Sequence, residues 1–231
     1  MQSVRGFYES GLGDRLTNPF YYPTNIVDFR RHEKQIIIAI QSSFDLLIEV
    51  GCAGECYLDW AVAHKKRYIG IDIVERNVKI GQQRVINQGL SEDIYRFIVG
   101  DGENLTAIIH PSELPVPVGR CLLLFPFNSF GNMQHPHKVL ASLQSLKLPF
   151  LISSYQTTSN AIVYRQEYYQ RCLYQDLHIL FQQEGVCFTS SNGFYSMAYH
   201  PDYFYQLCQQ HQLPITVTLA RCFMNATYDV S

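Results

Sequence analysis

No stretch of this 231-residue chain stays apolar long enough to span a bilayer. The first twenty residues carry Arg5, Glu9, Asp14 and Arg15 in place of an apolar signal core. The expectation is therefore a soluble chain of the cytoplasm, with no membrane partner; export by a non-classical route stays open. Basic charge is also scarce. Eighteen Lys and Arg against twenty Asp and Glu leave a formal net charge of −2, too little to attract a polyphosphate broadly, so nucleic acid is disfavoured as a partner. A disulfide framework is missing too. The seven cysteines are odd in number, scattered and set among apolar neighbours, which fits buried thiols in a reducing compartment. Cys52 and Cys56 lie four apart with no nearby second Cys/His pair, and His135 and His137 bracket Pro136 at the start of a helix; no metal is expected. Internal repeats and low-complexity segments are absent.

What is present is an alternation of short apolar runs and helical patterns. Residues 1–24 are rich in Gly, Tyr, Pro and Asn and read as a loop. A helix follows over Ile26–Gln41, with Asn25 as a candidate N-cap. Strand one is Leu46–Val50, then a helix from about Glu55 to His64, strand two Arg67–Asp72, and a helix from Glu75 to about Gln88 stopped by Gly89. Strand three is Ile94–Val99. Strand four, Arg120–Phe125, is continuously apolar, as a strand buried on both faces must be. A helix near Pro136–Leu146 and strand five, Phe150–Ser154, complete a parallel, doubly wound α/β core. Beyond it lie a polar-aromatic, helical stretch from Thr157 to Gln183, strand-like Val186–Ser190 and Phe194–Tyr199, a short helix from His200 to about His211, and a last strand, Pro214–Phe223.

The chemistry concentrates where strand one meets its turn, in Leu46-Leu47-Ile48-Glu49-Val50-Gly51-Cys52-Ala53-Gly54-Glu55-Cys56. Glycines at such a turn let backbone approach a ligand closely. Asp72 ends strand two, 21 residues after Gly51, the spacing at which a carboxylate meets ribose hydroxyls in dinucleotide sites. Asp101 follows strand three in Gly100-Asp101-Gly102-Glu103-Asn104-Leu105. The turn lacks G-x-G-x-x-G, which weighs against a nicotinamide cofactor.

In order, spacing and chemistry, these three segments resemble the cofactor half of a class I S-adenosylmethionine-dependent methyltransferase. The resemblance implies a Rossmann-like, mostly parallel seven-stranded sheet with helices on both faces and an antiparallel last strand. It implies one domain over 1–231: an N-terminal lid and helix (1–44), a cofactor-binding core (45–155), and an insertion with C-terminal strands (156–231). It also assigns roles. Gly51, Cys52, Ala53 and Gly54 form the turn against the cofactor, Glu49 takes the amino end, and Asp72 takes the ribose. Ile73 lies on the adenine face, Asp101 and Gly102 meet the adenine edge, and Phe125 closes the set. Ala53 and Glu55 stand where the family usually has glycine.

Strand four runs into Phe125-Pro126-Phe127-Asn128-Ser129-Phe130-Gly131-Asn132-Met133, where the family brings substrate to the sulfonium. Asn128 is the candidate catalytic residue, with capping of the turn as its structural alternative. Tyr8, Tyr21 and Tyr22 are candidates for a wall over the cofactor. The function implied is methyl transfer to a small-molecule acceptor, at nitrogen first and oxygen next, leaving S-adenosylhomocysteine. The alternatives are a protein side chain as acceptor, or a non-catalytic interaction module that has lost the cofactor.

Overall fold

A computed structural model of the protein describes residues 4–53, 57–172, 174 and 176–228. Strand β1 (Leu46–Val50) is buried at every position, as its unbroken apolar run requires apart from Glu49. It pairs in parallel with β2 (Arg67–Asp72) on one side and β4 (Cys121–Phe125) on the other. Outside these lie β3 (Tyr95–Val99), parallel to β2, and β5 (Phe150–Tyr155), parallel to β4.

The other edge departs from the sequence reading. A single last strand over Pro214–Phe223 is replaced by a hairpin, β9 (Thr216–Ala220) and β10 (Phe223–Tyr228). Its turn is made at Arg221, which takes φ 51°. Strand β10 inserts between β5 and β9 and runs antiparallel to both, so the seven-stranded order is β3-β2-β1-β4-β5-β10-β9. Strands β6 (His178–Phe181), β7 (Gly185–Thr189) and β8 (Tyr195–Tyr199) form a separate three-stranded antiparallel sheet.

Alternation along β1 divides the interior. Leu46, Ile48 and Val50 face a core shared with α5 (Pro136–Leu146) and α7 (Pro201–Gln210). Leu47 faces the opposite core, which takes Ile37 of α2 (Thr24–Ala39), Leu58 and Trp60 of α3 (Leu58–Ala63), and Val78 and Val85 of α4 (Glu75–Asn87). Helix α2 starts two residues earlier than the sequence suggests: Pro23 occupies the N-cap, and Asn25 lies inside, its Oδ1 accepting from the Ile26 N–H.

The segment read as loop holds a helix, α1 (Val4–Glu9), and two short 3₁₀ turns. Phe7 anchors it in an aromatic cluster with Tyr174 and Phe194. Two carbonyls of this segment, on Leu12 and Leu16, accept from the Tyr174 and Tyr168 hydroxyls. Tyr168 belongs to α6 (Ser159–Arg171), the helical part of the polar-aromatic stretch. The N-terminal segment is thus fastened to the C-terminal third of the chain. Among the described residues, no helix is long and apolar enough to cross a membrane.

Candidate active site

At the carboxyl ends of β1, β2 and β3, beside the point between β1 and β4 where strand order reverses, lies a cleft of about 260 Å³. Open α/β sheets bind ligands at this crevice. Gly51 and Ala53 line it from the turn after β1, Asp72 and Ile73 from the end of β2, and Gly100, Asp101, Gly102 and Glu103 from the turn after β3. Ser129 and residues 132–135 form the wall after β4, and Val4, Arg5 and Tyr8 of α1 form the roof.

Glycine is required at two of these positions. Gly51 sits at φ +82°, a left-handed conformation that L side chains rarely adopt, and a Cβ there would stand 3.1 Å from the Ser129 Cβ. At Gly102 a Cβ would fall 2.8 Å from Val50 Cγ1 and 2.5 Å from the tip of Met133. The two glycines keep open the space between the β1 and β3 turns.

Asp72 is almost wholly buried yet lines the cleft. Its Oδ1 accepts from the Val74 N–H at 2.8 Å and from Asn77 Nδ2 at 3.4 Å, and its carboxylate also accepts from the Ala53 backbone N–H. Burial outweighs those donors and pushes its pKa up to about 6. Asp101 caps the 3₁₀ turn after β3, its Oδ1 accepting from the Glu103 N–H at 2.9 Å. Glu103 Oε1 in turn accepts from the N–H groups of Gln134 and His135, at 2.7 and 3.0 Å, which fixes the opposite wall.

Two hydroxyls in the cleft are orphaned. Tyr8 Oη and Ser129 Oγ are both buried, and neither has a hydrogen-bond partner. Buried polar groups are nearly always paired, so the unsatisfied hydroxyls of two lining residues are candidates for pairing with a ligand or an ordered water. The Tyr8 phenol is held well above its ordinary pKa by burial, with smaller contributions from Tyr169 and Asp72. It is a neutral donor.

Not every residue expected at the site lies in this cleft. Gly54 falls outside the described residues. Cys52 is buried on the far side of the turn, against Gly70. Phe125 is fully buried in the core and packs edge-on against Phe130. Asn128 does not line the cleft either. Its Nδ2 donates to Ser196 Oγ at 3.0 Å and to the Met197 carbonyl at 3.1 Å, and its Oδ1 accepts from Ser154 Oγ at 2.6 Å. At φ 62° and 2% exposure it holds the post-β4 turn to β5 and β8, the structural alternative. Of the three lead-segment tyrosines, only Tyr8 lines the cleft.

Glu49 points into the opposite core. Its Oε2 accepts from the Tyr57 N–H and the Tyr68 hydroxyl, each at 2.7 Å. The Tyr57 hydroxyl donates at 2.6 Å to Glu33, whose second oxygen takes the Phe127 N–H at 2.6 Å. Two buried carboxylates therefore tie α2, the segment after the β1 turn and the segment after β4 into one network. Burial raises the Glu49 pKa to about 7, against the pull of both donors. A carboxyl raised above its unfolded value stabilises the fold below about pH 4.5, and that contribution is lost as pH rises through about 7. The expected outcome is that Glu49→Gln removes about 2–3 kcal/mol of pH dependence between pH 5 and 8. Thermal unfolding of both proteins across that range measures it.

Sequence reasoning missed Arg5, Asn77, Ser129, Gln134 and His135 as lining residues. Ser129 adjoins the residue it chose, and the strand-to-turn register that separates the two is not written in periodicity. Glu33 had a usable signal: it occupies an apolar stripe with Ile26, Phe29 and Ile37, all four buried.

No protein-family model matches the sequence, and no curated relative does. Solved structures do. The 1,6-didemethyltoxoflavin-N1-methyltransferase of Burkholderia thailandensis, with 1,6-didemethyltoxoflavin and S-adenosylhomocysteine bound, is similar at TM-score 0.60 and 12% identity, over 98% of this chain and 88% of that one. The magnesium protoporphyrin IX methyltransferase of Synechocystis PCC 6803, with SAH bound, gives 0.60 and 14%, over 98% of each chain. A Pyrococcus horikoshii OT3 protein, PH0226, gives 0.62 and 11%, over 91% of this chain and 93% of that one. The chain has the Rossmann-like fold of the class I S-adenosylmethionine-dependent methyltransferases.

Proposed function

We propose that the protein is an S-adenosylmethionine-dependent methyltransferase whose acceptor is a small molecule, methylated at nitrogen. The observation that carries this reading is the cleft itself. One acid ends β2 and another follows β3, two glycines keep the backbone clear, and two lining residues, Tyr8 and Ser129, carry hydroxyls without a partner, in a sheet with a reversed β10. A nicotinamide cofactor asks for a different glycine turn, G-x-G-x-x-G. Methyltransferases of the same fold act on small molecules, by the names of the two similar enzymes described above.

The residues present suit the cofactor. Asp72 would accept from the ribose hydroxyls, Ile73 would lie on the adenine, and Asp101 with the Gly102 backbone would meet the adenine edge. Ala53 fits despite its methyl, because its backbone is not in the left-handed region that would demand glycine. When bound, adenosylmethionine supplies an electrophilic methyl group on a sulfonium. The protein's part is then to align the acceptor and exclude water, which can provide much of the rate without an obligatory acid or base. Gln134 and His135 line the wall after β4, and in this reading His135 would take the proton that an amine loses.

Turnover is tested by incubating the chain with adenosylmethionine and a panel of amines and phenols while following adenosylhomocysteine release. Release that depends on one acceptor class identifies it. Methylation confined to a protein substrate would transfer the reading to a side-chain acceptor. A folded chain that binds neither cofactor nor product would be an interaction module instead.

Tyr8→Phe gives a second expected result with opposite signs in two assays. Deleting an unpaired buried hydroxyl relieves about 1 kcal/mol in the free protein, so its thermal midpoint should rise by a few degrees. The same change should weaken adenosylhomocysteine binding about five- to tenfold, since a neutral hydrogen bond is worth about 1 kcal/mol. A variant unchanged in affinity would remove Tyr8 from the site.

A further inference from the structure

Glu33 is fully buried on α2, in a stripe that is otherwise apolar. A carboxylate placed there is costly unless both of its oxygens are paired. Both are. Oε1 accepts from the Tyr57 hydroxyl at 2.6 Å and lies 3.4 Å from Arg30 Nη1, while Oε2 accepts from the Phe127 N–H at 2.6 Å. The two donors belong to different walls of the site: Tyr57 follows the β1 turn, and Phe127 opens the turn after β4. Tyr57 is also held from its other side, because its own N–H donates to Glu49 of β1 at 2.7 Å. Arg30 spans the same two segments, with its guanidinium 5.7 Å from the centre of the Tyr57 ring and 5.3 Å from that of Phe127.

The turn after β4 needs such a hold. Phe127 at φ 46° and Asn128 at φ 62° are successive left-handed residues without glycine, a backbone that persists only where its surroundings over-determine it. Asn128 is fixed by its own side chain; Phe127, whose side chain is apolar, is fixed by its N–H on Glu33 and by its ring against Phe29 and Tyr22. Ser129 comes next, and a Cβ on Gly51 would stand 3.1 Å from its Cβ, so the two turns touch here. A small displacement of either one changes the gap. The strand order β3-β2-β1-β4 then matters: with adenine beside β3 and ribose beside β2, the sulfur end of adenosylmethionine falls between the turns after β1 and β4.

We infer that Glu33 is a positioning residue: from behind the cleft it sets the turn after β4 against the turn after β1, and so shapes the space for the sulfur end of the cofactor. This inference rests on the proposed methyltransferase reading. Glu33 itself does not line the cleft, and it acts through Tyr57 and Phe127. A residue that merely stabilised the fold would affect every part of a bound ligand alike. Loss of Glu33 should instead fall on one end of the ligand, because the groups assigned to ribose and adenine sit on the β2 and β3 turns, away from both of its donors.

The test is calorimetric titration of the full chain with adenosylhomocysteine and with adenosine, which ends short of the sulfur. Glu33→Met keeps the length of the side chain and removes both acceptors; it should weaken adenosylhomocysteine about tenfold and adenosine less than about twofold. Glu33→Gln retains an acceptor for the Phe127 N–H and should recover most of the lost affinity. If circular dichroism shows Glu33→Met unfolded, Tyr57→Phe cuts the tie on the β1 side by a single hydroxyl and should move the ratio of the two affinities the same way, by about threefold. Folded variants in which both ligands weaken equally, or neither weakens, overturn the positioning role. A wild type that binds neither ligand overturns the methyltransferase reading, and this role with it.

Discussion

Replacing Asp72 with alanine is expected to weaken adenosylhomocysteine binding at least a hundredfold while leaving the fold intact. A carboxylate that accepts from two ribose hydroxyls makes two charge-assisted hydrogen bonds, each worth about 1.5–3 kcal/mol. Losing both costs about 3–5 kcal/mol, less whatever water recovers. The pH dependence adds a sharper signature. In the free protein burial holds Asp72 at about 6, and a ligand that donates to the ionised form favours deprotonation. Binding therefore releases a proton below that value, and affinity should fall about tenfold from pH 7 to pH 5. Asp72→Asn should bind more weakly than the wild type and lose this dependence. Calorimetry at three pH values measures both effects, and an unchanged dissociation constant in folded Asp72→Ala would falsify the ribose assignment.

The second large effect falls on Asn128. Its side chain makes three hydrogen bonds inside the protein, and its backbone is left-handed, a conformation that asparagine tolerates better than most residues. Alanine there would leave the Ser154 hydroxyl and the Met197 carbonyl short of a partner and strain the turn. Buried unsatisfied groups cost about 1–3 kcal/mol each, so a loss of about 3–5 kcal/mol is expected. For a chain of this size that is a fall of roughly 10 °C in thermal midpoint. Ser196 also receives Arg165, and its hydroxyl pairs with Tyr169, so the damage extends into the junction with the small sheet. An Asn128→Ala protein of wild-type stability that had lost turnover would restore this residue to a catalytic role.

Asn128 also shows where sequence reading reaches its limit. Strands β1 to β4 were legible because each is a short run closed by an acid, a glycine or a proline, and β5 because Pro149 opens it. Asp72 and Asp101 were placed because the end of a parallel strand is a fixed point relative to the sheet. Which way a neighbouring side chain turns is a different kind of information. Glu49, Cys52 and Phe125 are sorted to the core by partners such as Tyr57, Tyr68 and Phe130, which only the fold brings near. The β9–β10 hairpin escaped notice because its turn, Ala220-Arg221-Cys222, contains no glycine, proline or asparagine. The helix α1 has only six residues, too few for a period to register.

The roof of the cleft has a consequence for timing. Its hold on the rest of the molecule comes from Phe7 among aromatic rings, from tyrosine hydroxyls on the Leu12 and Leu16 carbonyls and from Arg15 on the Cys172 carbonyl; an ion pair to α4, Asp14 with Arg76, lies on the surface. Unseating it would expose apolar rings to water and break shielded hydrogen bonds, neither of which salt screens strongly. The dwell time of anything held beneath it should therefore lengthen on cooling only as far as hydrophobic contact allows, and should respond weakly to ionic strength.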